Sequence, residues 1–113
     1  MHELAITQSM LELVLEQAEK AGAKKVGKIN LVIGEMTGIV EESVQFYFNF
    51  LSQGTPAENA SIFSTKVPTT ARCQNCDKLF ELKEFEWSCP YCQGISMDIV
   101  SGRELFVESI EVE

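Results

Sequence analysis

The stretch KINLVIGEMTGIVEESVQFYFNFLSQG, residues 28–54, decides the fold class. Its first part alternates. Ile29, Leu31 and Ile33 fall on one face, Lys28 and Asn30 on the other, and Val32 departs from the pattern. Successive side chains of a strand point to opposite faces, so this segment reads as a half-buried strand ending at Gly34. Then the period changes. Val40, Val44, Tyr47 and Leu51 follow helical spacing, with Glu41 and Glu42 in a first turn whose dipole favours carboxylates and Gly54 as a stop. The density of Phe46, Tyr47, Phe48 and Phe50 predicts a helix whose aromatics pack into the core over more than one face.

Upstream, ELAITQSMLELVLEQAEKAGAKK has the same helical period. Leu4, Met10, Leu11, Val14, Leu15 and Ala18 gather on one side, with Glu12, Glu16, Gln17 and Glu19 largely on the other. Gly22 stands where a helix C-terminal cap belongs, and Lys20, Lys24 and Lys25 lie near the negative end of the dipole. This helix can start almost at residue 1. Downstream, ENASIFSTKVP reads as a strand ending before Pro68, and RELFVESIEVE as a closing strand. The order helix, strand, helix, strand, insert, strand predicts an α/β fold in which two helices pack on a small three-stranded sheet. A four-cysteine module is inserted before the last strand. The expected division is a discontinuous α/β unit, residues 1–69 plus 99–113, and a metal-binding unit, residues 70–98.

The insert carries CQNC at Cys73 and Cys76 and CPYC at Cys89 and Cys92, twelve residues apart. Each C-x-x-C turn can aim two thiolates at one ion, and two turns complete a tetrahedral four-sulfur shell. Backbone amides of such turns can bond to the sulfurs and lower the cost of gathering negative charge. So short a module cannot bury enough surface to fold alone; zinc binding, on the order of 10–16 kcal/mol in comparable peptides, makes up the deficit. Four protein ligands leave no open position, so the expected role is a structural Zn2+ site. Iron in the same cage, or a redox-active set of thiols, is the alternative. The intervening LFELKEFEW suggests a short hairpin, with Trp87 packing against the cluster as a small core.

Composition bounds the function. With 45% hydrophobic and 23% charged residues the 113-residue chain has material for one modest core. Its net charge of −8 argues against binding nucleic acid, whose affinity comes from Lys and Arg neutralising phosphates, or an anionic membrane. The cysteine module is itself acidic: Arg72, Lys78 and Lys83 face Asp77, Glu81, Glu84, Glu86 and Asp98. No basic-then-apolar leader and no apolar run of about 20 residues is present, and clustered cysteines suit a reducing compartment, so the expected location is the cytoplasm. No enzyme is expected either. Ser43 and Ser101 have no histidine partner suggested by spacing, and no phosphate-cradling glycine loop is present.

The single histidine, His2, lies in the opening MHEL. The Met1 amine, the His2 amide nitrogen and the His2 Nδ1 form fused five- and six-membered chelate rings, and the Glu3 amide closes another. Ni(II) and Cu(II) favour such nitrogen-rich fields. The first amides of a helix have no intrahelical partner, which leaves those of His2 and Glu3 free to lose a proton to the metal. With histidine at the second position these donors cannot all lie in one plane. The ion is then incompletely held, and water, a carboxylate of Glu3, Glu41 or Glu42, or a partner protein completes it. Such a site suits transfer more than storage.

MHEL with its amphipathic helix, then INLVIGEMTGIVEESVQFYF, the two cysteine pairs and the closing SIEVE together resemble the HypA/HybF family of hydrogenase nickel-incorporation proteins, in order and over the whole length. The resemblance implies a nickel metallochaperone that carries Ni2+ as cargo to the large-subunit precursor of [NiFe]-hydrogenase, working with a HypB-like GTPase. Some relatives also serve urease maturation factors. By position it places nickel at Met1, His2 and Glu3 and structural zinc at Cys73, Cys76, Cys89 and Cys92. Some relatives carry a second histidine near the zinc module; this chain has none. The rival readings are a zinc-stabilised protein–protein interaction module without a nickel site and a thiol redox sensor.

Overall fold

A computed structural model describes residues 3–83 and 87–113. Helix α1 spans Glu3–Lys20, strand β1 Val26–Gly34, helix α2 Glu41–Leu51 and strand β2 Ser61–Val67. Three short strands follow, β3 Thr70–Cys73, β4 Leu79–Glu81 and β5 Met97–Ser101, and β6, Leu105–Val112, closes the chain. There are two sheets of three strands, ordered β2-β1-β6 and β4-β3-β5.

β1 and β2 are parallel, Lys28 opposite Ser61 through Gly34 opposite Val67. Parallel neighbours need a crossover, and α2 supplies it. β6 pairs antiparallel with β1, with irregularities between Val26 and Lys28 and between Asn30 and Leu31 that leave Glu108 of β6 out of register. Both helices cover one face. Met10, Leu11, Val14 and Ala18 of α1 and Val44 and Phe48 of α2 bury against Ile29, Leu31, Ile33 and Ile62. At about 25 cal/mol per Å2 of apolar surface removed from water, this layer is the main source of stability. The other face is open and partly polar: Lys28 bonds Glu111 at 3.5 Å and sits 4.6 Å over the Phe63 ring. Val32 breaks the alternation because, in the middle strand, it is flanked by Thr65 and Phe106 in register and is buried without a helix above it.

Local chemistry explains the ends. Gly22 adopts φ +66°, Ala23 N–H donates to Ala18 O at 2.9 Å and Gly22 N–H to Glu19 O at 3.0 Å. This is the paired closure of a helix on a left-handed glycine. α2 is fastened to β2 by side chains: Glu41 Oε1 accepts from the Ser64 amide and hydroxyl, and Gln45 Oε1 accepts from the Ile62 amide at 2.8 Å. The outer edge of β2 is thereby partly satisfied.

One expectation needs correction. Phe46 and Phe50 are each 70% exposed, not packed in the core. α2 has α1 and the sheet on one side and solvent on the other, so only the Val44–Phe48 stripe, with Leu51 packed beside it, is covered.

The two sheets join where the chain passes Gly34. Gly34 N–H donates to Glu104 O at 2.6 Å and Met36 N–H to Gly102 O at 2.7 Å. A Cβ on Gly34 would stand 2.6 Å from the Glu104 amide nitrogen and closer still to the Gly102 carbonyl. Both obstacles are backbone, which cannot rotate away. Gly34→Ala is expected to destabilise the fold by at least about 2 kcal/mol, as overpacking against an unyielding wall does; a shift in the denaturation midpoint with unchanged m-value checks it.

Candidate metal centre

The second sheet has its own small core of Ala71, Cys73, Phe80, Leu82 and Cys89, with Met97 and Ile99 packed against it. β3 is its middle strand, between β4 and β5, and ends in the first ligand, Cys73. Trp87, expected in this core, is 61% exposed. Phe80 and Leu82 fill the space instead. The hairpin expected within 79–87 differs too: β4 pairs back onto β3 across the first cysteine turn, and residues 84–86 lie outside the described set.

The two cysteine turns have one construction. Asp77 N–H donates to Cys73 O at 2.9 Å, and Gln93 N–H to Cys89 O at 2.8 Å. Cys73 N–H donates to Lys78 O at 3.0 Å, and Cys89 N–H to Gly94 O at 2.8 Å. The residue after each second cysteine is left-handed, Asp77 at φ 62° and Gln93 at φ 63°. Asp and Asn side chains tolerate that region better than most; Gln93 is held there by the same pair of turn bonds, its own N–H to Cys89 O and Cys89 N–H to Gly94 O. Amides aim at the sulfurs, Asn75 N and Cys76 N toward Cys73 Sγ at 3.4 and 3.5 Å and Tyr91 N toward Cys89 Sγ at 3.4 Å. The Asn75 side chain adds Nδ2 to Cys92 Sγ at 3.6 Å. The backbone donors follow from the C-x-x-C spacing; Asn75 as a side-chain donor does not.

Together the turns bring all four sulfurs within 4.8 Å of one another. Cys73 and Cys92 are 3.5 Å apart and Cys76 and Cys89 3.6 Å. Metal–sulfur bonds of about 2.3 Å in a tetrahedron require sulfur–sulfur edges of about 3.8 Å. The set fits a four-coordinate ion, and it is closed: no ligand position remains for water or substrate. Thiol acidity is uneven. Burial opposes ionisation of Cys89, but the amides of Cys92 and Tyr91 outweigh it and lower its pKa. The Gly94 amide, with Cys73 and Asn75, lowers that of Cys92. At Cys76 the Lys78 amide favours the thiolate, yet burial and the other three thiols prevail and push it up to about 12.

The amino-terminal donors are less fully placed. Met1 and His2 lie outside the described residues, whereas Glu3 opens α1 and its carbonyl accepts from Thr7 Oγ1 at 2.6 Å. Of the carboxylates weighed as completing ligands, that of Glu41 is already engaged by Ser64, and Glu42 is exposed.

These features define a two-sheet α/β protein with a closed four-sulfur metal centre. The chain matches, over residues 1–112, the family described as hydrogenase/urease nickel incorporation, metallochaperone, HypA. It is 45% identical to hydrogenase maturation factor HypA of Caldanaerobacter subterraneus, covering 100% of both chains, and 43% identical to that of Dehalococcoides mccartyi, covering 100% of this chain and 95% of the relative. The fold is similar to the solution structure of the Ni metallochaperone HypA from Helicobacter pylori, with TM-score 0.67 and 21% identity over 99% of this chain and 97% of the other. A second solution structure of a HypA protein gives TM-score 0.75 at 22% identity, over 100% and 97%. The chain belongs to the HypA family of nickel-incorporation metallochaperones, and so is not an enzyme.

Metal must displace the proton held on Cys76 at any pH below about 12, and fewer from Cys89 and Cys92. Apparent zinc affinity of the metal-free protein should therefore rise with pH across pH 6–8, by about tenfold or more per unit. Competition against a chromophoric chelator measures it, and a flat profile would mean the thiols are ionised before metal arrives.

Proposed function

We propose that this protein binds Ni(II) at Met1, His2 and Glu3 and delivers it for maturation of [NiFe]-hydrogenase, with structural Zn2+ on Cys73, Cys76, Cys89 and Cys92. The observation that carries this reading is the closure of the four-sulfur set. A carrier must release its cargo, and a half-buried set of four convergent sulfurs with no position left open is built to keep what it holds. Transferable nickel therefore needs other donors. The chain has one histidine, His2, beside the terminal amine and the amides of a helix start. Nitrogen donors suit Ni(II), and thiolate donors suit zinc, so the two ions sort between the sites by ligand chemistry.

Delivery requires recipients. We place the protein in the cytoplasm, working with a HypB-like GTPase and the hydrogenase large-subunit precursor, and with urease maturation factors where those exist; the family description, hydrogenase/urease nickel incorporation, supports both routes. Among the described residues no helix is long and apolar enough to cross a membrane. The two functions fall to two units, the α/β unit for nickel and the inserted cysteine unit for zinc; the expected boundary between residues 98 and 99 falls inside β5, whose pairing with β3 carries the zinc unit on to Ser101. A second reading, an interaction module without its own nickel site, draws on the exposed Phe46 and Phe50 of α2.

Calorimetric titration of Ni(II) into the zinc-loaded protein separates the two. About one equivalent should bind the native terminus and be lost both in His2→Ala and in a variant extended by one residue before Met1, with zinc retained in all three. Unchanged binding in both variants would move nickel to donors other than the terminus, and no binding by the native chain would leave the interaction module.

A further inference from the structure

The two edges of the β2-β1-β6 sheet are treated differently. On β2 the amides of Ile62 and Ser64 are occupied by Gln45 and Glu41 of α2. On β6, among the described residues, no side chain or backbone outside the β1 pairing bonds the main chain between Leu105 and Val112; the next residue, Glu113, is tied to Lys24 and Lys25. Alternate amides and carbonyls of an edge strand point away from its neighbour and remain available to another strand. The disturbed register at Glu108 restricts this offer to the first part of the strand, Leu105–Val107.

Beside that part lies a groove of about 390 Å3 between α1 and β6. Ser9 and Leu13 stand on its α1 wall, Leu105 and Val107 on its β6 wall, and its floor reaches Leu31 and Val44 of the core. Exposed Leu4, Leu13, Leu105 and Phe106 surround it. An open main-chain edge beside an apolar slot is the arrangement that receives an added strand, main chain on the edge and alternate side chains in the slot.

Charge selects the strand. From Glu3 to Glu19, α1 carries four glutamates and no Lys or Arg. From Gly102 to the end, four glutamates stand with Arg103 alone. A second copy of this chain would bring like carboxylates together along the shared edge, which disfavours self-pairing. We propose that β6 and the α1–β6 groove dock an extended segment of another protein, in which apolar residues alternate with Lys or Arg. The inference stands apart from the nickel reading and uses no metal.

The probe is a synthetic peptide, Ac-KVKVTVKV-NH2, titrated into the 15N-labelled, zinc-loaded full chain at low salt. Shifts should concentrate at Leu105–Val107 and along the Ser9–Leu13 face of α1, and alternate β6 amides should exchange more slowly with solvent. The same peptide methylated on alternate main-chain nitrogens, which removes the edge hydrogen bonds, should not bind. Ser9→Phe, a change at an exposed position that fills the slot, should abolish binding. Glu104→Gln with Glu108→Gln should weaken it by about threefold to tenfold, the scale of two exposed ion pairs.

Binding by the methylated peptide equal to that of the parent would overturn the strand, and so would unchanged β6 amide exchange. Equal binding of a peptide with Glu in place of Lys would overturn the charge rule. Concentration-dependent broadening of the same β6 signals without peptide would mean a second copy is the occupant. No binding at all would also reject the proposal, given that Ser9→Phe and the parent chain share one folded spectrum.

Discussion

The antiparallel pairing of β1 with β6 is the constraint on which the rest depends. β6 completes the sheet only after the chain has left β2, built the cysteine module and returned. The return is possible because Gly34 lacks a side chain and lets the backbone at Gly102 and Glu104 lie directly against it. Closing so long a loop costs entropy, and the cost grows only slowly with loop length. What matters more is that the inserted loop is itself ordered: its ends, Thr70 and Ser101, are opposite each other in register, and their hydroxyls are 2.6 Å apart. A folded insert presents β6 to β1 at a defined separation, which a floppy one would not.

Order in the insert comes from the sulfurs. Five buried residues, two of them ligands, form its core, and three short strands cannot hold a fold on that amount of burial. Ionising Cys76 in the metal-free cluster is unfavourable, since against the Lys78 amide both burial and the three neighbouring thiols raise its pKa. At Cys89 and Cys92 amide donors prevail and lower the pKa, whereas at Cys76 they do not, which leaves Cys76 as the thiol whose proton an ion must displace. Metal, module and sheet closure are thus linked in one chain of cause, which gives an ion on the four cysteines a role in the fold itself.

Legibility followed the length of the periodic signal. α1, β1, α2, β2 and β6 were readable because each extends over enough residues to show its period, and Gly22 because only a left-handed turn calls for glycine there. The cysteine ligands were readable from spacing alone. β3, β4 and β5 run for 4, 3 and 5 residues, too short for alternation to register, and their pairing is non-local. Phe46, Phe50 and Trp87 misled for one reason: apolar character reports what a side chain would favour, not whether the fold places a neighbour over it. Glu41 looked like a free carboxylate because its partner, Ser64, lies across the crossover on another strand. The donors of the amino terminus are legible as chemistry, and their arrangement in space is not.

The four-sulfur centre and the β1–β6 closure also bear on how a carrier of this kind can work. Zinc-selective sulfur ligation and nickel-selective nitrogen ligation on one chain avoid competition only if neither ion finds the other's donors. Here the four sulfurs lie within 4.8 Å of one another and backbone amides point at those of Cys73 and Cys89, so a single ion would engage all four. In the proposed function the structural ion does two things at once: it would order the insert that positions β6, and it would occupy all four thiols of the chain. Soft donors hold Ni(II) firmly when they are free, and a carrier that offered them would keep its cargo. Under the proposed function, zinc on the thiols would leave nickel to a small set of nitrogen and oxygen donors, from which a recipient with a fuller coordination shell could remove it.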